Sequence, residues 1–240
     1  MLRAYKCDLH IHTCLSPCAD LDMSPSALVE TAVLEKLDVI AVCDHNASEN
    51  AEYVIGAASD KPVFVFPGME ITSREEVHIL ALFESTKTLK NIQYIVYCSL
   101  KGTNREDIFG CQPILNELNE VEGFNDHLLL GATDLSLHEI VESIHKFDGI
   151  AIAAHVDRKS FGILGQLGFI PPDLGLDAIE ISPAGRKQNI EIPRRYPAIT
   201  SSDAHFINEI GRCVTTIYME IPSIKELKLA MSGKDGRYIG

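Results

Sequence analysis

His10 and His12 alternate with apolar residues in the opening stretch Cys7-Asp8-Leu9-His10-Ile11-His12. A strand turns successive side chains to opposite faces, so Asp8, His10 and His12 are expected on one face and Cys7, Leu9 and Ile11 on the other. Further along, apolar runs end in histidines or carboxylates. Residues 39–43 lead into Asp44-His45, residues 63–66 into Pro67-Gly68 and then Glu70, and residues 150–154 into His155. Residues 197–202 lead into Asp203-Ala204-His205, and His78 stands near the start of the run 77–83. A single histidine after an apolar run is more often a core residue than a ligand. Six of them, joined by carboxylates, point to a cavity that needs cations, because burying such groups unpaired is costly. Mixed nitrogen and oxygen donors favour zinc, manganese or iron over magnesium or calcium.

These runs are strands in an alternating pattern. Ser24-Pro25 is a helix start, and Leu28, Val29, Ala32, Val33 and Leu37 form an apolar stripe at helical spacing. Ser136 and Glu139 make a capping box over 136–147, with Leu137, Ile140, Val141 and Ile144 on the buried side. The uniformly apolar runs suit strands covered on both faces. Strands alternating with helices predict a parallel sheet, and seven or so can close a barrel. One domain spanning 1–240 is expected. The irregular stretch at about 85–135 is an excursion over one barrel end, a position often taken by lids.

The chain is 46% apolar and 23% charged, with a formal charge of −13. An extended polyanion groove normally carries the opposite sign, whereas a small anion held by bound cations is compatible with this charge. Residues 1–20 carry charges and no signal-peptide core, and no run reaches the ~18 apolar residues of a membrane helix. Seven scattered cysteines fit reduced thiols and a cytoplasmic location. Nothing in the sequence sets the oligomeric state.

His10-Ile11-His12-Thr13, Asp44-His45, Gly68-Met69-Glu70, His78, Ala154-His155 and Asp203-Ala204-His205 resemble, in order, the motifs of the PHP superfamily. This is the polymerase-and-histidinol-phosphatase group of metal-dependent phosphoesterases. The resemblance implies an α/β fold, a distorted seven-stranded (β/α) barrel similar to a TIM barrel, with two or three divalent metals. It places His10, His12, Glu70 and Asp203 on the first metal. Glu70 would bridge to a second, also held by His78 and His155. His45, His205 and a residue shortly after His12 would hold a third. There the chain departs from the family, which commonly has a histidine or aspartate five or six residues after the second histidine. Cys18 lies six residues after His12 and a thiolate can bind zinc or iron; Asp20, two further on, is the alternative.

Adjacent divalent cations lower the pKa of a bound water from about 15.7 towards ~7. The expected reaction is attack of metal-bound hydroxide on the phosphorus of a small phosphorylated metabolite or nucleotide. Asp8 and Asp44 are candidate partners for ligand imidazoles. Arg158 and Arg186 are candidates for gripping the phosphate, while Lys159 and Lys187 read as ordinary exposed cations. The alternatives are an exonuclease of short oligonucleotides and a non-catalytic metal-stabilised module. An amidohydrolase-type barrel is disfavoured, because no suitably placed strand lysine is present. His127, His138 and His145 read as surface or rim residues.

Overall fold

A computed structural model describes residues 1–188 and 195–240, so Arg194, expected with Arg195 away from the site, lies outside the described residues. The chain opens with β1 (Arg3–Ile11), α1 (Pro25–Leu34), β2 (Val39–Val42), α2 (Glu49–Ala57), β3 (Phe64–Thr72) and β4 (His78–Leu82). The excursion carries α3 (Thr86–Ser99), α4 (Glu106–Phe109) and the hairpin β5 (Pro113–Leu115) and β6 (Val121–Phe124). Then come α5 (Leu137–Lys146), β7 (Ile150–Ala153), α6 (Ile163–Leu167), β8 (Ala178–Glu180) and α7 (Pro183–Gln188). The chain finishes with β9 (Ala198–Ile199), β10 (Thr215–Met219), α8 (Ile224–Met231) and β11 (Tyr238–Ile239). Pro25 at the first position of α1 and the Ser136–Glu139 capping box of α5 are both formed.

Nine strands share one sheet, in the order β11-β10-β1-β2-β3-β4-β7-β8-β9. Seven of them, β1 to β4 and β7 to β9, wrap into a barrel. The seam closes where Ile11 pairs with Ala204 and the His12 amide donates to the Ala204 carbonyl at 3.0 Å. Lower on the same edge of β1, β10 pairs antiparallel over residues 3–7. The Thr215 hydroxyl ties β10 to the β9 end, accepting from the Thr200 amide and donating to the Thr200 carbonyl. Of the two strands beyond the expected seven, β10 thus bridges the barrel seam, and β11 pairs with β10 at the edge.

The sheet is not wholly parallel, as the strand–helix alternation had predicted. β4 runs antiparallel to both β3 and β7. Only five residues separate β3 from β4, and a parallel crossover needs a dozen or more. This reversal matters for the site, since it brings the start of β4, where His78 lies, to the end of the barrel where its neighbours finish. β3 also continues past Pro67-Gly68. Residues 64–67 pair with β2 and residues 68–72 with β4. Gly68 sits at that changeover, and a Cβ there would come within 2.8 Å of Leu82 Cδ2 and 2.9 Å of Cys43 Sγ.

Every barrel strand sends side chains into one inner cluster, among them Cys7, Leu9, Ala41, Phe66, Leu80, Ile152, Ala178 and Ile199. An outer layer packs the strands against α1, α2 and α5 through Ile40, Val42, Leu28, Val54 and Ile144. The strict alternation expected of β1 is broken. A register shift between Asp8 and Ile11 is a bulge, and an extra residue changes which face follows. Leu9 therefore joins the inner cluster while His10 and His12 also turn inward. Asp8 is separated from them and accepts from the Ser202 and Gly211 amides, at 2.9 Å each.

The excursion is held on the barrel end by buried polar groups. Asn46 donates to the Leu129 and Gly131 carbonyls at 2.8 and 2.9 Å and accepts from the Thr72 amide at 3.0 Å. Asn50 accepts from the Leu115 amide. Replacing Asn46 with alanine orphans these groups, at a cost of about 1–3 kcal/mol. A lowered urea midpoint is the expected readout; an unchanged one would mean that other contacts hold the segment.

Candidate metal centre

Ligand positions follow from strand phase. His45 lies two residues beyond inner-facing Cys43, and Glu180 two beyond Ala178, so each continues an inward face past the apolar cluster. His155 and Asp203 break phase with left-handed backbones, φ 27° and 51°. Such conformations are uncommon for residues other than glycine and cluster where function holds them.

Glu70 is the centre of the arrangement. Its Oε1 lies 2.8 Å from His78 Nδ1, 3.0 Å from His155 Nε2 and 3.5 Å from His10 Nε2. Its Oε2 lies 2.9 Å from His45 Nδ1 and 3.4 Å from His12 Nε2. Five imidazoles thus surround one carboxylate that is 1% exposed. Asp203 Oδ1 stands 3.3 and 3.2 Å from His10 and His12 Nε2, and those two nitrogens are 3.1 Å apart. One ring nitrogen has a single lone pair or proton and cannot serve three such neighbours. The atoms converge on common points between them, as cation ligands do. Glu70 Oε2 and His155 Nδ1 are also buried without a hydrogen bond. The residues therefore fit a polynuclear metal group.

Three groups bring their donor atoms within 4.8 Å of one another: His10, His12 and Glu70; His45, Glu70 and His78; and His12, His45 and His205. His155 and Asp203 flank the first two through Glu70, His10 and His12. His10, His12 and Glu70 come together as the resemblance implies, and so do His45 and His205, but His45 also joins Glu70 and His78, and His12 also joins His45 and His205.

Cys18 stands at the exposed rim. Burial of its sulfur works against ionisation, but the neighbouring His205 and His45 imidazoles bring the thiol down to about 7. Neither Cys18 nor Asp20 belongs to the three groups. The Asp20 amide donates to the His205 carbonyl at 2.8 Å, while its carboxylate accepts from the Asp22 amide and closes an exposed turn. His127 stacks on Tyr97, His138 faces Asp173 and His145 faces Asp177, all apart from the cluster.

The outer carboxylates do not act as expected. Asp44 touches no imidazole; it accepts from the Thr13 amide and from the Thr13 and Ser16 hydroxyls. Ser16 Oγ lies 3.0 Å from His12 Nδ1 and accepts from the His45 amide at 3.1 Å. Asp44 therefore reaches His12 only through Ser16, and its side chain is fully buried. Burial raises its pKa, and raises that of Asp8 to about 6. The partner that sequence reasoning missed is Glu180. Its Oε2 lies 3.0 Å from His10 Nδ1 and accepts from the His155 amide at 3.1 Å. The signal was there, an acid ending the short run Ala178-Ile179-Glu180. Outer carboxylates fix the ligand tautomer, so Glu180→Gln should weaken metal binding about 10- to 100-fold. Competition against a chromophoric chelator measures this, and unaltered affinity would deny Glu180 that role.

Electrostatics follow from the crowding. Burial would raise the Glu70 pKa, yet His78, His10 and His45 hold it well below the carboxylate range. Burial opposes protonation of His10, but Glu180, Asp203 and Glu70 raise it well above the usual value. Burial lowers His78 to about 4, and burial with help from His205 and His45 lowers His12 well below the usual value.

Beside the cluster opens a cavity of about 1360 Å³, lined by Asp203, Arg158, Arg186, Lys187 and Arg212 among others. Arg158 reaches Asp203 Oδ2 at 2.6 Å while remaining 43% exposed. Arg186 is more committed, donating to Thr200 Oγ1 at 2.7 Å and to the Val214 carbonyl at 3.1 Å.

A TIM-like barrel with an imidazole–carboxylate cluster at one end defines the class. The PHP domain profile matches residues 8–166 and the PHP-associated profile residues 193–231. The chain belongs to the PHP domain family. The lesion-specific endonuclease Endonuclease Q of Pyrococcus furiosus superposes with a TM-score of 0.70 at 18% identity, over 99% of this chain and 58% of that one. A chain from Bifidobacterium adolescentis, assigned as a metal-dependent phosphoesterase, superposes with a TM-score of 0.54 at 16% identity, over 83% and 87%. At these identities the likeness is one of fold. The uncharacterized protein YqxK of Bacillus subtilis is 29% identical over 115 residues, 45% of this chain and 29% of that protein. The chain thus spans well under two thirds of YqxK and of Endonuclease Q.

Proposed function

We propose that the protein is a metal-dependent hydrolase of phosphate esters, with two or three zinc, manganese or iron ions held among His10, His12, His45, Glu70, His78, His155, Asp203 and His205. The observation that carries the reading is Glu70 buried among five imidazoles. When bound, such cations polarise a phosphoryl oxygen and lower the pKa of a bound water.

The chain's own residues do the rest. Glu180 and the Asp44–Ser16 pair hold His10 and His12 in fixed orientations. Arg158 fixes one oxygen of Asp203 so that the other faces His10 and His12. Its exposed N–H groups are free to receive a phosphoryl oxygen, for which a guanidinium fork is suited. Arg186 shapes the cavity wall by binding the β9–β10 segment and is the weaker candidate for touching phosphate. Cys18 completes the set around His45 and His205.

The substrate is a small phosphorylated metabolite or nucleotide. A second reading, a short oligonucleotide, is favoured by the cavity, which exceeds the ~300–1,000 Å³ of most small-molecule sites and carries several cations. Endonuclease Q acting on nucleic acid agrees with it. Free thiols throughout fit a reducing, cytoplasmic setting, and no described helix is long and apolar enough to cross a membrane.

The test is phosphate or nucleotide release by manganese-, zinc- and iron-loaded protein from sugar phosphates, nucleoside bisphosphates and a 5′-labelled oligonucleotide. Arg158→Ala should raise KM at least about tenfold through loss of a charge-assisted contact. No turnover of any ester by fully loaded protein would leave the non-catalytic module as the better account.

A further inference from the structure

One loop contributes both a ligand and a cation to the centre: His155 begins it and Arg158 follows. The same loop ends in Phe161, for which the chemistry above has no use. Phe161 adopts φ +60°, a left-handed backbone that is a genuine outlier for a bulky residue. Its carbonyl accepts from the His78 amide at 3.0 Å. Its ring lies flat on the His78 imidazole, with centroids 4.4 Å apart and planes at 17°. His78 is 6% exposed whereas Phe161 is 38% exposed. One face of the phenyl ring is thus spent on an imidazole that meets Glu70, and the ring remains partly open to solvent.

The loop beneath is closely folded. The Arg158 amide donates to the His155 carbonyl and the Leu164 amide to the Val156 carbonyl. A Cβ on Gly162 would come within 2.4 Å of the Arg158 carbonyl oxygen. Phe161 is therefore held, strained, where a smaller or more flexible residue would fit with less cost. Strain kept at a site's rim marks a constraint that folding alone does not impose.

We propose that Phe161 is a specificity-determining platform on which a planar ring of the substrate, a nucleobase, stacks while its phosphate lies at the centre beside Arg158. The proposal rests on the phosphoesterase reading for the phosphate's place and adds the class of substrate: esters of nucleosides and nucleotides rather than base-free sugar phosphates. Stacking of this kind tolerates any base, because each presents a π-face. A bare phenyl ring would therefore select for a base without choosing among the four.

The test measures binding, so that it stands apart from turnover. Manganese-loaded protein is titrated with adenosine 5′-monophosphate and with ribose 5-phosphate by calorimetry. The expected result is tighter binding of the nucleotide, by about tenfold. F161A should remove most of that difference, and F161W should restore it. Since the chain has no tryptophan, the indole of F161W is also a unique reporter, and its emission should be quenched by the nucleotide and not by ribose 5-phosphate. Equal affinity or no binding of the two ligands by the parent protein overturns the proposal. So does an equal loss for both ligands in F161A, which would reduce Phe161 to a support for His78. Nucleotide-selective binding without hydrolysis of any ester would instead sustain the platform and sink the phosphoesterase reading.

Discussion

Glu70→Gln is expected to abolish hydrolysis, by at least about 10³-fold, with loss of bound metal. The glutamine keeps the size of the side chain and removes its charge. Five imidazoles converge on this carboxylate from β1, β4 and the segments after β2 and β7. The remaining amide oxygen carries no charge, and the NH2 group in place of the other oxygen cannot donate to a cation. Lewis-acid stabilisation worth several kcal/mol is forfeited, and each ~1.4 kcal/mol is a factor of ten. Metal content by elemental analysis and kcat on the best ester from the screen are read together. Full metal content with undiminished turnover would remove Glu70 from the centre of the mechanism.

Loading the centre with divalent cations should release protons, one each from His10 and His45, and stabilise the protein more as pH rises. Without cations, both histidines are held protonated well above the usual value. Burial opposes this, and Glu180, Asp203 and Glu70 prevail at His10 while Glu70 and Cys18 prevail at His45. A cation requires the neutral imidazole, so binding competes with protons and strengthens through their titration. The sign for the metal-free fold is opposite. A raised histidine pKa gives stability that is complete below about 6.5 and is lost as pH climbs through the folded value. The depressed pKa values of Glu70 and Asp203 give stability above the ordinary carboxylate range, lost as pH falls through the folded values. The gap in Tm between loaded and chelated protein should therefore widen as pH rises above about 6.5, through the raised folded values of His10 and His45. At a thousandfold excess over Kd it is worth ~4 kcal/mol, or about 8–16 °C for a chain of this size. Calorimetry in buffers of different ionisation enthalpy counts the protons. A gap independent of pH, with no protons released, would contradict this account.

The fold was largely legible because its signals are local. Apolar runs closed by histidine or carboxylate mark strand ends whatever lies around them, and the capping box of α5 is a contact over three residues. The same runs named nearly all the clustered side chains. Asp44 was legible as a candidate partner of the ligand imidazoles, but not that it reaches His12 only through Ser16. Glu180 was overlooked because an acid after two apolar residues looks like any solvated strand end.

Residue types and their order along the chain determined the barrel class and a cation-binding donor set. Those properties follow from side-chain period and from the cost of burying charge, both of which act over a few residues. Tertiary structure alone decided which donors share an oxygen, because the bulge in β1, the reversed β4 and the left-handed backbones at His155 and Asp203 turn the side chains independently of sequence spacing. It also decided that the Asp20 carboxylate meets the Asp22 amide, that Glu180 meets His10, and that Phe161 stacks on His78. Each of these depends on where segments tens of residues apart come to rest, and no periodicity encodes that distance.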